Sequence, residues 1–329
     1  MQCVRPLISL LFVVTSSAAV AADRVPLHGE CEIEFTSIEV GQAALRTPDR
    51  FTRSLSRFDL EFRLSTNGEV STHDLRQFAA DQVVAWNDPD RAKLAEIVAS
   101  VRERFSKLKL PLPETILLIQ TTGKEEMNFA YCRRNAIIFP KRYVAYRPRK
   151  LEEIFVHEVF HILSSHNEEL RRSLYEIVGY KPCPEITLPP SLADRKITNP
   201  DGPSLRYYIE IESNGALHKT VPLIFAKSRY EAARGEAFFD YLQFRLLIVD
   251  VMDDQWKVAL RDKEPVLIDP DDDITPSYRE QIGKNTTYVI HPDEILADNF
   301  MHLVMQTKDL PTPRILEQMW KILQAETNE

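Results

Sequence analysis

The segment His157-Glu158-Val159-Phe160-His161 constrains this chain more than any other stretch. Two histidines four residues apart on a helix project from one face on successive turns. From Ile154 to Leu163 the only ionisable residues are His157, Glu158 and His161, and the other seven are apolar. Burying such groups without a partner is costly, and a metal ion supplies one. Two imidazole nitrogens can each reach one zinc at about 2.0–2.1 Å. Glu158, next to the first histidine, can reach a metal-bound water without occupying a ligand position. Zinc lowers the pKa of that water toward about 7, and the carboxylate can take its proton and pass it to a leaving amine. This is the physical content of the H-E-x-x-H pattern. The alternative is a helix whose polar stripe merely meets solvent, which leaves the apolar surroundings unexplained.

A catalytic zinc takes a third protein ligand and keeps one position open. Two downstream segments offer Glu-x-x-x-Asp on a helix: Glu294 with Asp298, and Glu236 with Asp240. The first is favoured. Pro292 and Asp293 read as a helix start, which puts Glu294 in the first turn. Asp298, one turn on, can accept the spare N–H of a ligating histidine. Glu236 precedes Tyr241–Val249, which reads as strand or helix, and its acids also fit a salt-bridged surface. His166, five residues beyond His161, is a third option. The closely spaced third-histidine pattern needs a glycine-containing turn and a longer gap. For the developing oxyanion, Tyr288 and His291 are reachable donors, each also readable as structural. Tyr207 and Tyr208 fit a hairpin better.

Residues 1–22 have the layout of a cleavable secretory signal: Arg5, the apolar run Leu7–Val14, then small residues up to Ala22. The apolar run is shorter than the roughly 20 residues a span requires. An exported, secreted or periplasmic product is therefore expected. The chain carries 41 basic and 49 acidic residues, net −8, or −9 without Arg5. No basic block stands out, which argues against nucleic acid or an anionic membrane as partner. Beyond the signal the cysteines are Cys31, Cys132 and Cys183, with no CxxC spacing. A Cys132–Cys183 bridge and three free thiols are the two readings.

Alternation over Cys31–Phe35 and Phe58–Phe62 suggests short strands. Helical spacing follows over 74–86 and from Asp88-Pro89 to Leu108. Thr115–Ile119 and Asn135–Phe139 read as strands, Arg149–Ser164 and Glu168–Val178 as helices, with Gly179 as a stop. The proline-rich stretch 182–203 reads as a surface excursion. Tyr207–Ile211 and Val221–Phe225 flank the turn residues Ser213-Asn214-Gly215. Helices return over 293–306 and 312–325. Such segregated blocks predict an α+β fold with a C-terminal helical part, divided into a signal (1–22), a β-rich N-terminal segment (23–70) and a catalytic domain (71–329). Two smaller features are an N-glycosylation sequon at Asn285-Thr286-Thr287 and the acidic run Asp271-Asp272-Asp273. The run reads as a solvated loop or a calcium site.

With these pieces in view, the chain resembles the gluzincins, the thermolysin-like zinc peptidases, on His157-Glu158-x-x-His161 and a later Glu294-x-x-x-Asp298. More narrowly it resembles uncharacterised secreted bacterial proteins regarded as zinc peptidases. That likeness also draws on Asn135–Pro140, Thr198-Asn199-Pro200-Asp201 and Asn285-Thr286, and covers roughly residues 110–305. The resemblance implies a zincin-like fold with an active-site helix, and zinc held by His157, His161 and Glu294. It further implies Glu158 as general base, Asp298 behind a ligand, and a peptide or protein as substrate. The strand 135–139 would lie beside the cleft and offer its edge to an extended peptide. The spacing of 133 positions from His161 to Glu294 departs from thermolysin's shorter spacing. The alternatives are a zincin-fold binding or scaffold protein without turnover, and a zinc amidase acting on non-protein material.

Overall fold

Strands Arg24–His28 (β1) and Cys31–Phe35 (β2) form an antiparallel hairpin that points Leu27, Ile33 and Phe35 inward. They belong to a computed structural model that describes residues 23–235, 237–270 and 276–324. Three helices follow: α1 (Ile38–Arg46), α2 (Arg50–Arg53) and α3 (Arg57–Arg63). The expected strand over 58–62 is thus a helix, and segment 23–70 holds two strands and three helices. The alternation there also satisfies a helical face, because Phe58 and Phe62 lie one turn apart, with their rings stacked at 5.8 Å. Capping decides between the two periods. Ser56 Oγ accepts from the Asp59 amide, and Asp59 Oδ2 accepts from the Ser56 amide.

Helices α4 (Thr72–Asp81) and α5 (Asp88–Phe105) come next, the latter capped by Asn87 with proline in its first turn. Thr115–Thr121 (β3) runs parallel to β2. Tyr131–Arg133 (β4) and Ala136–Pro140 (β5) complete a sheet of order β1-β2-β3-β5-β4. Side chains alternate between its faces. Ile116, Leu118, Ile137 and Phe139 face α5 and the site helix α6 (Pro148–His166), whereas Ile119 and Ile138 face α1 and α4. β5 is paired on both sides, so the sheet edge belongs to the antiparallel β4. The expectation that 135–139 presents its own edge is corrected accordingly.

Helix α7 (Glu168–Ile177) ends before Gly179, whose φ of +85° suits a residue without Cβ. The stretch 182–203 runs mostly at the surface, as expected, but is anchored at four buried residues. It begins in strand β6 (Tyr180–Pro182), contains the short helix α8 (Pro190–Ala193), and buries Ile186, Leu192, Ile197 and Thr198. Strands β7 (Tyr207–Ser213) and β8 (Ala216–Ala226) meet at Asn214 and Gly215, both with positive φ, as a two-residue hairpin turn requires. After helix α9 (Phe238–Tyr241), strands β9 (Leu242–Met252) and β10 (Gln255–Val258) extend this second sheet in the order β10-β9-β8-β7-β6. The run from Leu242 is therefore strand.

The C-terminal helical part comprises α10 (Pro276–Ile282), α11 (Pro292–Val304) and α12 (Pro313–Leu323). Helix α11 is buried over most of its length and packs against α6, with the Phe160 and Phe300 rings 5.5 Å apart. The chain is α+β with a helical C-terminal part. Among the described residues no helix is long and apolar enough to cross a membrane. Cys31, Cys132 and Cys183 are free thiols, which removes the Cys132–Cys183 bridge. Residues 1–22, Glu236 and the run 271–273 lie outside the described residues.

Candidate metal centre

Helix α6 packs against α11, and its polar stripe meets the start of that helix. There His157, His161 and Glu294 bring ligand atoms within 4.8 Å of one another. His157 Nε2 lies 3.1 Å from Glu294 Oε2, and His161 Nε2 lies 3.5 Å from the same oxygen. Each imidazole is held from behind by a different acid. His157 Nδ1 is 2.9 Å from Asp298 Oδ1, and Thr286 donates its hydroxyl to the other oxygen of Asp298. His161 Nδ1 is 2.6 Å from Asp293 Oδ2. Ser164 and Tyr175 donate to Asp293 Oδ1 at 2.5 and 2.7 Å. With Nδ1–H pointing at a carboxylate, each ring turns Nε2 toward Glu294.

Asp293 is the partner that sequence reading used only as a helix start. Its position one residue before Glu294 puts it a step around α11, facing the histidine one turn further along α6. Asn199 is the other omission in role. Its Nδ2 donates to Glu294 Oε1 at 2.6 Å, which leaves Oε2 for the histidines. Asp201, two residues on, accepts from the amide of Cys132 at 2.8 Å and so occupies the outer edge of β4. The tetrapeptide Thr198–Asp201 was visible as a motif, but its reach into the site depends on how 182–203 folds back.

Glu158 is buried beside this group. The Cys132 thiol lies 3.4 Å from its Oε2 and 3.3 Å from its backbone oxygen. Cys132, Glu158 and Asp201 form a second close cluster of potential donors. Burial raises the Glu158 carboxyl above its ordinary value, against the pull of His161 and His157. Burial also lifts Asp201 well above its ordinary value, reinforced by the neighbouring Glu158 and Glu294 and opposed by His161. For His157, burial disfavours charge, but hydrogen bonds to Asp298 and Glu294 outweigh it and push the ring up to about 10. Burial would raise Glu294, yet the two histidines hold it well below the usual carboxylate range.

The other candidates separate cleanly. His166 Nδ1 faces the Ile162 carbonyl of its own helix at 2.9 Å and does not join the group. His291 caps α11 by accepting from the Asp293 amide at 3.1 Å, and burial lowers it to about 4. A Cβ on Gly202 would fall 2.3 to 2.6 Å from the His291 ring, so this packing depends on glycine. Tyr288 instead lines the cleft, its ring stacked 6.4 Å from that of His157. Tyr207 and Tyr208 belong to β7. The Asn285 amide donates to Asn299 and to the Thr312 carbonyl, both at 2.8 Å, so this sequon residue is a structural tie.

An open cleft of about 410 Å³ runs over the group, lined by Ala130, Tyr143, Glu158, Tyr288 and Met301 among others. Comparison with protein-family models, with curated proteins and with solved structures finds no match to this chain. The functional reading therefore rests on the residues themselves.

Proposed function

We propose that the protein is an exported zinc-dependent hydrolase of the gluzincin type, with a zincin-like catalytic fold, acting on peptide bonds. One observation carries the reading: two histidine Nε2 atoms converge on one oxygen of Glu294, while each Nδ1 is held by its own carboxylate. Donors about 2.0–2.1 Å from a tetrahedral zinc lie roughly 3.4 Å apart, and the separations here are 3.1 and 3.5 Å. The donor set of two imidazoles and one carboxylate, each supported from behind, suits zinc. When bound, zinc supplies Lewis acidity toward a carbonyl oxygen and makes water a better nucleophile near neutral pH.

The chain's own residues would supply the rest. Glu158, raised by burial, takes a proton from the attacking water as its oxygen bonds to the scissile carbonyl carbon. It returns that proton to the amine nitrogen as the C–N bond breaks. Cys132 restrains the orientation of the Glu158 carboxyl. The Tyr288 hydroxyl, across the cleft, is the proposed donor to the developing oxyanion. Protein with Glu158→Gln should retain about one zinc per chain while cleavage of a denatured-protein peptide mixture falls about 10²–10⁴-fold. Metal analysis and mass spectrometry of the products measure both, and retained turnover in this variant would sink the mechanism. Zinc binding with no cleavage by the wild type would favour a binding protein. Release of a non-peptide amine product would favour an amidase.

A further inference from the structure

Three arginines far apart in the sequence come together beside the metal group. Arg50 starts α2, Arg134 stands in the turn between β4 and β5, and Arg171 lies in α7. All three line a cavity of about 340 Å³. His161 and Asp201 line both this cavity and the cleft over His157 and Glu158, so the cavity borders the metal group. Arg171 Nε donates to the Tyr207 hydroxyl at 3.3 Å, and its guanidinium carbon sits 5.8 Å from the centre of that ring. Its two terminal nitrogens hold no hydrogen bond among the described residues. Arg50 and Arg134 are exposed, and among the described residues none of the three arginines forms an ion pair.

The charge on the cavity wall is unbalanced. Arg133, on the same wall, is satisfied by Asp49 and by the carbonyls of Leu45 and Thr47. Asp49 is thereby taken. Asp201 sits at the end shared with the cleft, where it accepts the Cys132 amide. That leaves the exposed Glu168 against three unpaired guanidinium groups. The chain carries more acidic than basic residues, 49 against 41, so cations without partners in one concave place are not a consequence of composition. Like charges gathered there repel one another, and a bound anion relieves that repulsion. A guanidinium presents paired N–H donors that match a carboxylate, and three of them suit a stretch bearing several carboxylates.

We infer that this cavity is a docking surface for an acidic stretch of polypeptide, whose aspartate or glutamate side chains meet Arg50, Arg134 and Arg171 while the chain continues past His161 to the metal group. The inference rests on the proposed hydrolase reading for what happens at the metal, but docking can be measured without turnover. Arg50 and Arg134, at the exposed rim, draw the acidic stretch in. Arg171, held by Tyr207, fixes where one carboxylate comes to rest.

The test has two arms on the zinc-loaded full chain. The first compares three labelled hexapeptides by fluorescence anisotropy. One carries three glutamates and an amidated end, the second has glutamines in their place, and the third is the glutamine peptide with a free terminal carboxylate. The glutamate peptide should bind at least about tenfold tighter than either other at low salt, and added salt should narrow the gap. Arg50→Glu combined with Arg134→Glu should abolish the preference. Both residues are exposed, so this variant should fold, and an unchanged circular dichroism spectrum checks that. Arg50→Gln with Arg134→Gln, which removes charge without reversing it, should shrink the preference less. In the second arm, cleavage sites in a proteome-derived peptide mixture should carry acidic residues on one fixed side of the cut bond, a pattern the glutamate double variant flattens. Equal binding of the three peptides, tight binding of the free carboxylate end alone, or a preference unmoved by both double variants overturns the docking surface. A glutamate preference lost in the double variant, without cleavage of any peptide, keeps the docking surface and overturns the peptidase reading.

Discussion

The protein buries charge in two neighbouring places and balances it in opposite ways. Around Arg63 the guanidinium donates to Asp59 at 2.7 Å and to both oxygens of Glu126 at 2.8 and 2.5 Å. Arg133 likewise pairs with Asp49 at 2.6 Å and donates to the carbonyls of Leu45 and Thr47. These cations are covalent parts of the chain. Around His157, five carboxyl groups (Glu158, Asp201, Asp293, Glu294, Asp298) surround two histidines. Among the described residues no lysine or arginine forms an ion pair with any of the five. The loop Thr198–Asp201 joins the two regions. Thr198 takes the Arg63 guanidinium and gives its amide to Asp59, and Asn199 reaches Glu294. One cluster is complete as folded and serves as an anchor. The other holds an excess of acids that a divalent cation would offset, which is why the same residue types read as scaffold in one place and as site in the other.

The comparison breaks most readily at Arg63. Arg63→Met leaves Asp59 and Glu126 buried without their partner, and should cost about 3–5 kcal/mol in urea unfolding, with or without chelator. A loss below about 1 kcal/mol would show that the cluster is no anchor. Next in size is the effect of the ion. At free zinc one hundred times its dissociation constant, unfolding free energy should rise by about 2.7 kcal/mol. Glu294→Ala should abolish that increment, and Arg63→Met should keep it; an increment that survives Glu294→Ala would remove this residue from the ligand set. Third, Asp293→Asn and Asp298→Asn should each weaken zinc binding by about 10–100-fold in a chelator competition. Asp293 should have the larger effect, because it is buried and also collects the Ser164 and Tyr175 hydroxyls. A larger effect at Asp298 would reverse that order. Smallest is Thr198→Val, which deletes the hydroxyl bond to the Ser54 carbonyl. It should cost about 1 kcal/mol of stability and leave zinc affinity unchanged.

Much of this arrangement was legible in advance where one local period was at work. The helices expected over Arg149–Ser164 and 293–306 form as Pro148–His166 and Pro292–Val304. Asp298 stands behind His157 because a residue one turn beyond Glu294 shares its helix face. Where two periods fitted equally, local reading failed. Phe58–Phe62 alternates like a strand and repeats like a helix, and the Ser56–Asp59 capping box settles it. The sheet edge was misassigned for a related reason. Asn135–Phe139 is the more apolar strand, but the three residues Tyr131–Arg133 pair onto it and cover it.

By itself the sequence determined which side chains share a helix face: His157 with His161, and Glu294 with Asp298. Helical geometry acts over four residues and needs nothing from the rest of the chain. Only the tertiary structure decided that these two faces meet, since they lie more than a hundred residues apart and packing alone sets their distance. The same packing gave Asp293 to His161, turned His291 and His166 away, folded Asn199 onto Glu294, and brought Arg50, Arg134 and Arg171 to one cavity beside the group. Those contacts depend on which elements bury their apolar faces against one another, and no local pattern encodes that.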